Sequence, residues 1–229
     1  MRSNVLEVVE KVQQDVFNTI TKNGIKFKQG KPIANLKRMS IGNKKLYNIL
    51  IFDLLAGKQG SCEQNCYKCY AIKSQRQYSR TNLYRSVNYM LAKKHLNVLK
   101  ELLILQLKYT NQETVRIHSS GEFFSQEYLN MWTEIVELFP EIKFYAYTKM
   151  TKKLYFDDLT SNKNFNLINS IALIDNKEVL NYGDKTHIAN LIKNNWFLCP
   201  ATVKNGDNIR CGLNCTYCIT NNKVCFNIH

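Results

Sequence analysis

Leu50-Ile51-Phe52-Asp53-Leu54-Leu55-Ala56-Gly57-Lys58-Gln59-Gly60-Ser61-Cys62-Glu63-Gln64-Asn65-Cys66-Tyr67-Lys68-Cys69 is the stretch from which the fold is read. Residues 46–55 form a compact apolar run suited to a buried strand, which empties into a small, glycine-punctuated turn and then three cysteines. A long helical stretch follows over about 71–109, expected as two helices; its first part is basic and tyrosine-rich, with Lys73, Arg76, Arg80 and Arg85 among Tyr78, Tyr84 and Tyr89. Residues 114–118 then read as a strand, stopped by Ser119-Ser120-Gly121-Glu122. A helix over 125–139 has Ser125 as its N-cap and Pro140 just beyond it. A strand at 143–147, a short helix at 152–159, a strand at 166–174 and a helix at 188–193 continue the pattern. This alternation predicts an α/β fold with a parallel sheet. Such sheets gather ligand sites beyond the carboxyl ends of their strands. The first cysteine group, residues 119–122 and Tyr147-Thr148-Lys149 all follow predicted strands in this way.

Upstream, Val5, Val8, Val9, Val12, Val16 and Ile20 recur at three- and four-residue steps and predict an amphipathic helix over 4–22, capped by Ser3 or Asn4 and ended by Gly24. Three segments result: an N-terminal helix and basic segment over 1–45, an α/β core with the first cysteine group over 46–198, and a cysteine-rich metal-binding extension over 199–229. The chain has 229 residues, 45% of them hydrophobic, enough for one sizeable core. No run of eighteen apolar residues and no export signal are present, so a soluble protein of the cytoplasm, with no membrane partner, is expected.

The charge is lopsided: 32 Lys and Arg against 18 Asp and Glu, a formal net of +14. Between residues 22 and 45 stand Lys22, Lys26, Lys28, Lys31, Lys37, Arg38, Lys44 and Lys45, with no acidic residue. Phosphate neutralisation releases counterions, so this segment is the expected contact for nucleic acid.

Eight cysteines in a reducing compartment point to metal or reactive chemistry rather than to disulfides. They fall in two groups separated by the 129 cysteine-free residues between Cys69 and Cys199. Cys62, Cys66 and Cys69 have C-x3-C-x2-C spacing, and Cys211, Cys215 and Cys218 repeat it. Three thiolates leave a tetrahedral ion one ligand short, whereas a 4Fe–4S cluster held by three keeps one iron open to another ligand. The second group has a fourth thiol in Cys199 or Cys225; Cys199 is preferred because Cys199-Pro200 follows a predicted strand. Four thiolates close a site for a second cluster or for zinc. A zinc site built from Cys66, Cys69, Cys215 and Cys218 is the alternative, but it leaves Cys62 and Cys211 idle at their shared offset, which favours iron and sulfide. At the strand ends, Glu122, His118 and Lys149 are the candidate catalytic residues, Glu122 foremost because a carboxylate after Ser-Ser-Gly is placed to bind.

The cysteine spacing between a strand and a helix resembles the radical S-adenosylmethionine (SAM) enzymes. That resemblance implies a partial (β/α) barrel-like sheet, a 4Fe–4S cluster whose open iron is chelated by SAM, and a protein reductant as partner. It further implies that reduction cleaves SAM to methionine and a deoxyadenosyl radical, which abstracts hydrogen from a substrate. Ser120-Gly121-Glu122 stands where that superfamily often has Gly-Gly-Glu against the SAM amino group. An aromatic residue usually precedes the third cysteine; Lys68 occupies that position, and Tyr67 beside it is assigned to the cofactor. In the second motif Tyr217 does precede Cys218, but only eleven residues follow, too few for a barrel.

A second resemblance covers most of the chain. Leu50-Ile51-Phe52-Asp53-Leu54, Cys69-Tyr70-Ala71, Arg116-Ile117-His118-Ser119-Ser120-Gly121-Glu122-Phe123-Phe124, Tyr145-Ala146-Tyr147-Thr148-Lys149 and Cys199-Pro200-Ala201 are similar to the phage and mobile-element family of gene product eighty-eight. It implies a viral or mobile-element origin, hence the host cytoplasm, and little about activity. The expected function is therefore an iron–sulfur protein of radical SAM type acting on nucleic acid or a nucleotide. The alternative is a zinc- or cluster-stapled nucleic-acid-binding phage protein without catalysis.

Overall fold

The computed structural model describes residues 2–27, 36–42, 45–62, 69–174, 177–180, 182–183, 185–200 and 208–227. In chain order the elements are α1 (Arg2–Lys22), β1 (Met39–Ile41), β2 (Leu50–Phe52), α2 (Tyr70–Gln77), α3 (Ser79–Lys94), α4 (Leu96–Lys108), β3 (Thr114–Ile117), α5 (Gln126–Leu138), β4 (Lys143–Thr148), α6 (Asp157–Thr160), β5 (Phe165–Asn169), β6 (Ile171–Ile174), β7 (Lys177–Leu180), β8 (Tyr182–Gly183), α7 (Lys185–Lys193), β9 (Phe197–Leu198), α8 (Tyr217–Thr220) and β10 (Val224–Asn227). The fold is α/β. Five strands form one mixed, mostly parallel sheet in the order β1-β2-β3-β4-β5, open at both edges rather than closed into a barrel. Thr114 pairs with Lys143 and Ile117 with Ala146 across β3 and β4, and Phe144 pairs with Phe165 across β4 and β5. No helix among the described residues is long and apolar enough to cross a membrane.

The chain packs as two compact units that interleave along the sequence. The first comprises Met1–Ser40, Phe52–Asn111 and His118–Ile135; the second comprises Ile41–Ile51, Gln112–Ile117 and Val136–His229.

The first unit is largely helical. Val9, Val12, Val16 and Ile20 are the buried stripe of α1, which packs on α3. The stretch expected to hold two helices holds three, broken at Tyr78 and His95, whose backbones leave the helical region (φ −121°, ψ 101° and φ −141°, ψ 51°). Neither break carries a glycine or proline, so no local signal announces it. In α5 the Ser125 hydroxyl accepts the Tyr128 N–H at 3.2 Å, the expected N-cap.

The second unit holds most of the sheet and the C-terminal segment. The strand expected over 46–55 is only Leu50–Phe52, and the helix expected over 152–159 shrinks to the single turn Asp157–Thr160. The strand expected over 166–174 splits at Ser170, whose N–H donates to the Thr148 carbonyl at 2.8 Å. Beyond that split β6 pairs antiparallel with β7, and β10 lies parallel between β8 and β9.

Candidate functional site

The first unit is organised around a carboxylate in the middle of the apolar run. Asp53 Oδ1 accepts the backbone N–H groups of Ser119 and Ser120, both at 2.8 Å, and the Ser119 hydroxyl at 2.7 Å. Its Oδ2 takes the Arg85 guanidinium at 2.9 Å through Nη2 and 3.2 Å through Nε. Arg85 in turn donates to the Ala71 carbonyl and the Ser74 hydroxyl on α2. One acid thus ties the end of β2, the turn after β3 and two helices together. Both partners are largely buried, so their charges are held in a medium where an unpaired one is costly.

The turn after β3 is then locked onto the loop that leads to the cysteines. Leu54 N–H donates to the Ser120 carbonyl at 2.9 Å, and the Ser120 hydroxyl returns a bond to the Leu54 carbonyl at 3.0 Å. Gly121 has φ +93°, and a Cβ there would stand 2.6 Å from Leu54 Cβ and 2.8 Å from Ser61 Oγ. The glycine is therefore demanded by the protein's own loop, which fills the space where a side chain would go. Glu122 N–H donates to Ser61 Oγ at 2.9 Å, one residue before Cys62. The Glu122 carboxylate is buried and accepts the Phe123 N–H at 2.9 Å. The Tyr70 phenol, one residue after Cys69, donates to the Ser119 carbonyl.

Cys62 and Cys69 are both half-buried, Cys69 standing at the N-terminal end of α2. Cys66 and Tyr67 lie outside the described residues. His118 adopts φ +65° and is buried. Its Nε2 is 2.8 Å from the Tyr128 hydroxyl, and its ring stacks on Tyr128 and meets the Phe123 ring edge-on at 4.7 Å. Burial raises the Tyr128 phenol well above its ordinary value, with the Trp132 contact opposing and the Glu122 and Asp53 charges adding.

The C-terminal thiols lie in the second unit, where Cys199 shares a packed cluster with Ile49, Tyr145, Tyr147, Cys211, Tyr217 and Cys218. Cys225 belongs to a separate cluster on Leu191, its thiol 3.6 Å from the Phe197 carbonyl. The turn from Cys211 to Cys215 is shaped by Gly212 at φ +84°, where a Cβ would meet the Tyr47 carbonyl at 2.5 Å. Cys211 exchanges backbone hydrogen bonds with Lys45 and Tyr47, both at 2.8 Å. From β5, the Asn166 amide donates to the Cys218 carbonyl at 2.9 Å and to the Asn221 carbonyl at 3.0 Å, which holds α8. Burial, then the neighbouring Cys215, pushes the Cys211 thiol up, while the Arg116 guanidinium pulls it back. Burial likewise raises the Cys218 thiol, against a hydrogen bond from Tyr147. Arg116 sits over the Tyr147 ring at 5.0 Å, so the chain brings a cation as well as thiols here.

The donor set suits iron or zinc in chemical type, since thiolate is the preferred ligand of both and Arg116 offsets thiolate charge. Among the described residues, no group of three or more His, Cys, Asp or Glu side chains is placed to hold a single metal ion.

Lys149 follows β4 in the second unit, half-buried, between buried Thr148 and Met150. Of the basic segment, Lys22, Lys26, Lys37 and Lys45 are exposed, and Lys28, Lys31 and Lys44 lie outside the described residues. Arg38 is only 1% exposed, with its guanidinium 3.2 Å from Asn88 Oδ1 and over the Tyr84 ring, so it is a core residue and not a surface cation. Sequence reading missed Asp53, Arg85 and Arg116. A carboxylate inside an apolar run was the available signal, because such a group persists only with a buried partner.

Neither a curated protein nor a solved structure matches the chain. The family model for Gene product 88 matches residues 20–212, a span that takes in the Asp53 network, the first cysteine group and Cys211. The chain belongs to the Gene product 88 family.

Proposed function

We propose that this chain is an iron–sulfur protein of radical SAM type. Cys62, Cys66 and Cys69 would hold a 4Fe–4S cluster, with Ser120-Gly121-Glu122 receiving the amino group of SAM; Cys199, Cys211, Cys215 and Cys218, which the structure does not gather around one point, would have to draw together to hold a second centre. The observation that carries this reading is the bond from Glu122 N–H to Ser61 Oγ at 2.9 Å. It ties the acidic turn after β3 to the residue that precedes the first cysteine. A buried carboxylate beside a cysteine motif is suited to an ammonium, because charge-assisted hydrogen bonds strengthen out of water. When bound, the reduced cluster supplies the electron for cleavage of SAM. The chain's own residues do the rest: Asp53 and Arg85 fix the turn, Gly121 allows it to lie against the loop, and Glu122 accepts hydrogen bonds. Tyr67 completes this set; Lys149, in the second unit, would offer a cation for a carboxylate or phosphate there.

Anaerobic purification followed by an absorption spectrum with iron, sulfide and zinc analysis tests the reading. A brown protein with thiolate-to-iron absorption and equal iron and sulfide is expected. Replacing Cys62 and Cys69 by Ser should remove one cluster's iron and abolish SAM cleavage, while replacing Cys211 and Cys218 should remove the other's. Zinc without sulfide would refute the radical chemistry and leave a metal-stapled binding protein.

A further inference from the structure

The residues from Gln64 to Lys100 include eight Lys or Arg and no Asp or Glu. Arg85 is taken up internally by Asp53, but Lys73, Arg76 and Arg80 are exposed. At about 100° per residue in α2, Tyr70, Lys73, Arg76 and Gln77 occupy one arc roughly 120° wide. Ala71 and Gln75, the buried residues of α2, fall on the opposite side. The chain leaves α2 at Tyr78, in extended conformation, and α3 continues through Arg80. Tyr70 is 64% exposed and Tyr78 55%, so two aromatic rings stand in water among three cations. Tyr70 is also anchored to the Ser119 carbonyl, on the turn that carries Glu122.

We propose that Tyr70, Lys73, Arg76, Tyr78 and Arg80 form a docking surface for single-stranded nucleic acid, which delivers a nucleotide to the Cys69 and Glu122 side of the first unit. Cations alone fit any polyanion. Cations interleaved with exposed rings fit a strand whose bases are free to stack, since a duplex hides its base faces. The proposal names the substrate class for the radical SAM reading and rests on it for catalysis, but binding can be measured without it.

The experiment is fluorescence anisotropy of a labelled single-stranded oligonucleotide, and of its duplex, against the full chain over a range of salt concentrations. Replacing Lys73, Arg76 and Arg80 together by Ala should lower the slope of log affinity against log salt by about 2. Tyr78→Leu should weaken binding by about 5- to 100-fold with the slope unchanged, and Tyr78→Phe should restore it. Replacing Lys22, Lys26 and Lys37 together by Ala should leave most of the affinity. Equal affinity for the duplex overturns the proposal, as does a loss on the Lys22, Lys26 and Lys37 replacement that the α2 variants do not share. All five side chains are exposed, and a thermal melt of each variant checks that the fold is kept. Iron and sulfide measured on the same samples separate the two readings. A colourless protein that binds the strand overturns only the cluster, and a brown one that ignores it overturns only the docking surface.

Discussion

At the residue scale, Gly121 and Asp53 carry the first unit's turn. Gly121 sits at φ +93° against Leu54 and Ser61, so Gly121→Ala combines backbone strain with a clash against a packed loop. It should cost roughly 2–4 kcal/mol, read as a lower urea midpoint at constant slope. Asp53→Asn removes the counter-charge of a buried guanidinium while keeping the shape, and should cost roughly 3–5 kcal/mol. Ser119→Ala removes one donor to the same carboxylate and should cost about 1 kcal/mol, so the ratio of the two tests whether charge dominates the network. The sequence singles out Ser120, Gly121 and Glu122 as an acidic turn, but it does not disclose what the glycine packs against. That contact joins residues some sixty positions apart, a separation no local pattern encodes.

At the element scale, α5 ends at a device supplied from far along the chain. The Asn164 amide donates to the carbonyls of Val136 and Phe139 at 3.0 Å and of Ile142 at 3.1 Å. Only Val136 lies in the last turn of α5; Phe139 and Ile142 belong to the turn that leads into β4, so one buried amide fastens the helix end and that turn together. Asn164→Leu should cost roughly 2–3 kcal/mol in chemical denaturation, well above the effect of Ser125→Ala at the other end, about 1 kcal/mol. Ser125 was legible because N-caps have a local signature; Asn164 was not, because its partners precede it by more than twenty residues. The same logic explains why a stretch expected to break once breaks twice, at Tyr78 and His95. Periodicity shows which face is apolar, and packing chooses where the helix must turn.

At the scale of the whole molecule, buried phenols contribute to the loss of stability at alkaline pH. Burial is the leading cause that raises Tyr84, Tyr128, Tyr145 and Tyr147 above their ordinary value. An unfolded phenol ionises near pH 10 while the folded one keeps its proton, so the unfolded chain binds fewer protons there. Stability from this source is complete below about pH 10 and falls as pH rises beyond it, by about 1.4 kcal/mol per pH unit for each phenol. Urea midpoints at pH 8, 10 and 11 should show that break. Tyr128→Phe should be less stable at pH 8, having lost its bond to His118, yet fall less steeply above pH 10; an unchanged slope would mean that Tyr128 is not the buried acid described. The α/β class, most of the elements, the two cysteine groups at matching offsets and the acidic turn after β3 are legible from the residues alone, because each is a local pattern of period, spacing or composition. It takes the folded chain to show that Arg38 is a core cation, that Asp53 and Arg85 hold the turn, that Gly121 answers to Leu54 and Ser61, and that Cys199 packs with Cys211 and Cys218 while Cys225 does not. The physical reason is the same throughout: a buried charge, a missing side chain or a thiol is defined by what faces it, and those neighbours come from distant parts of the chain.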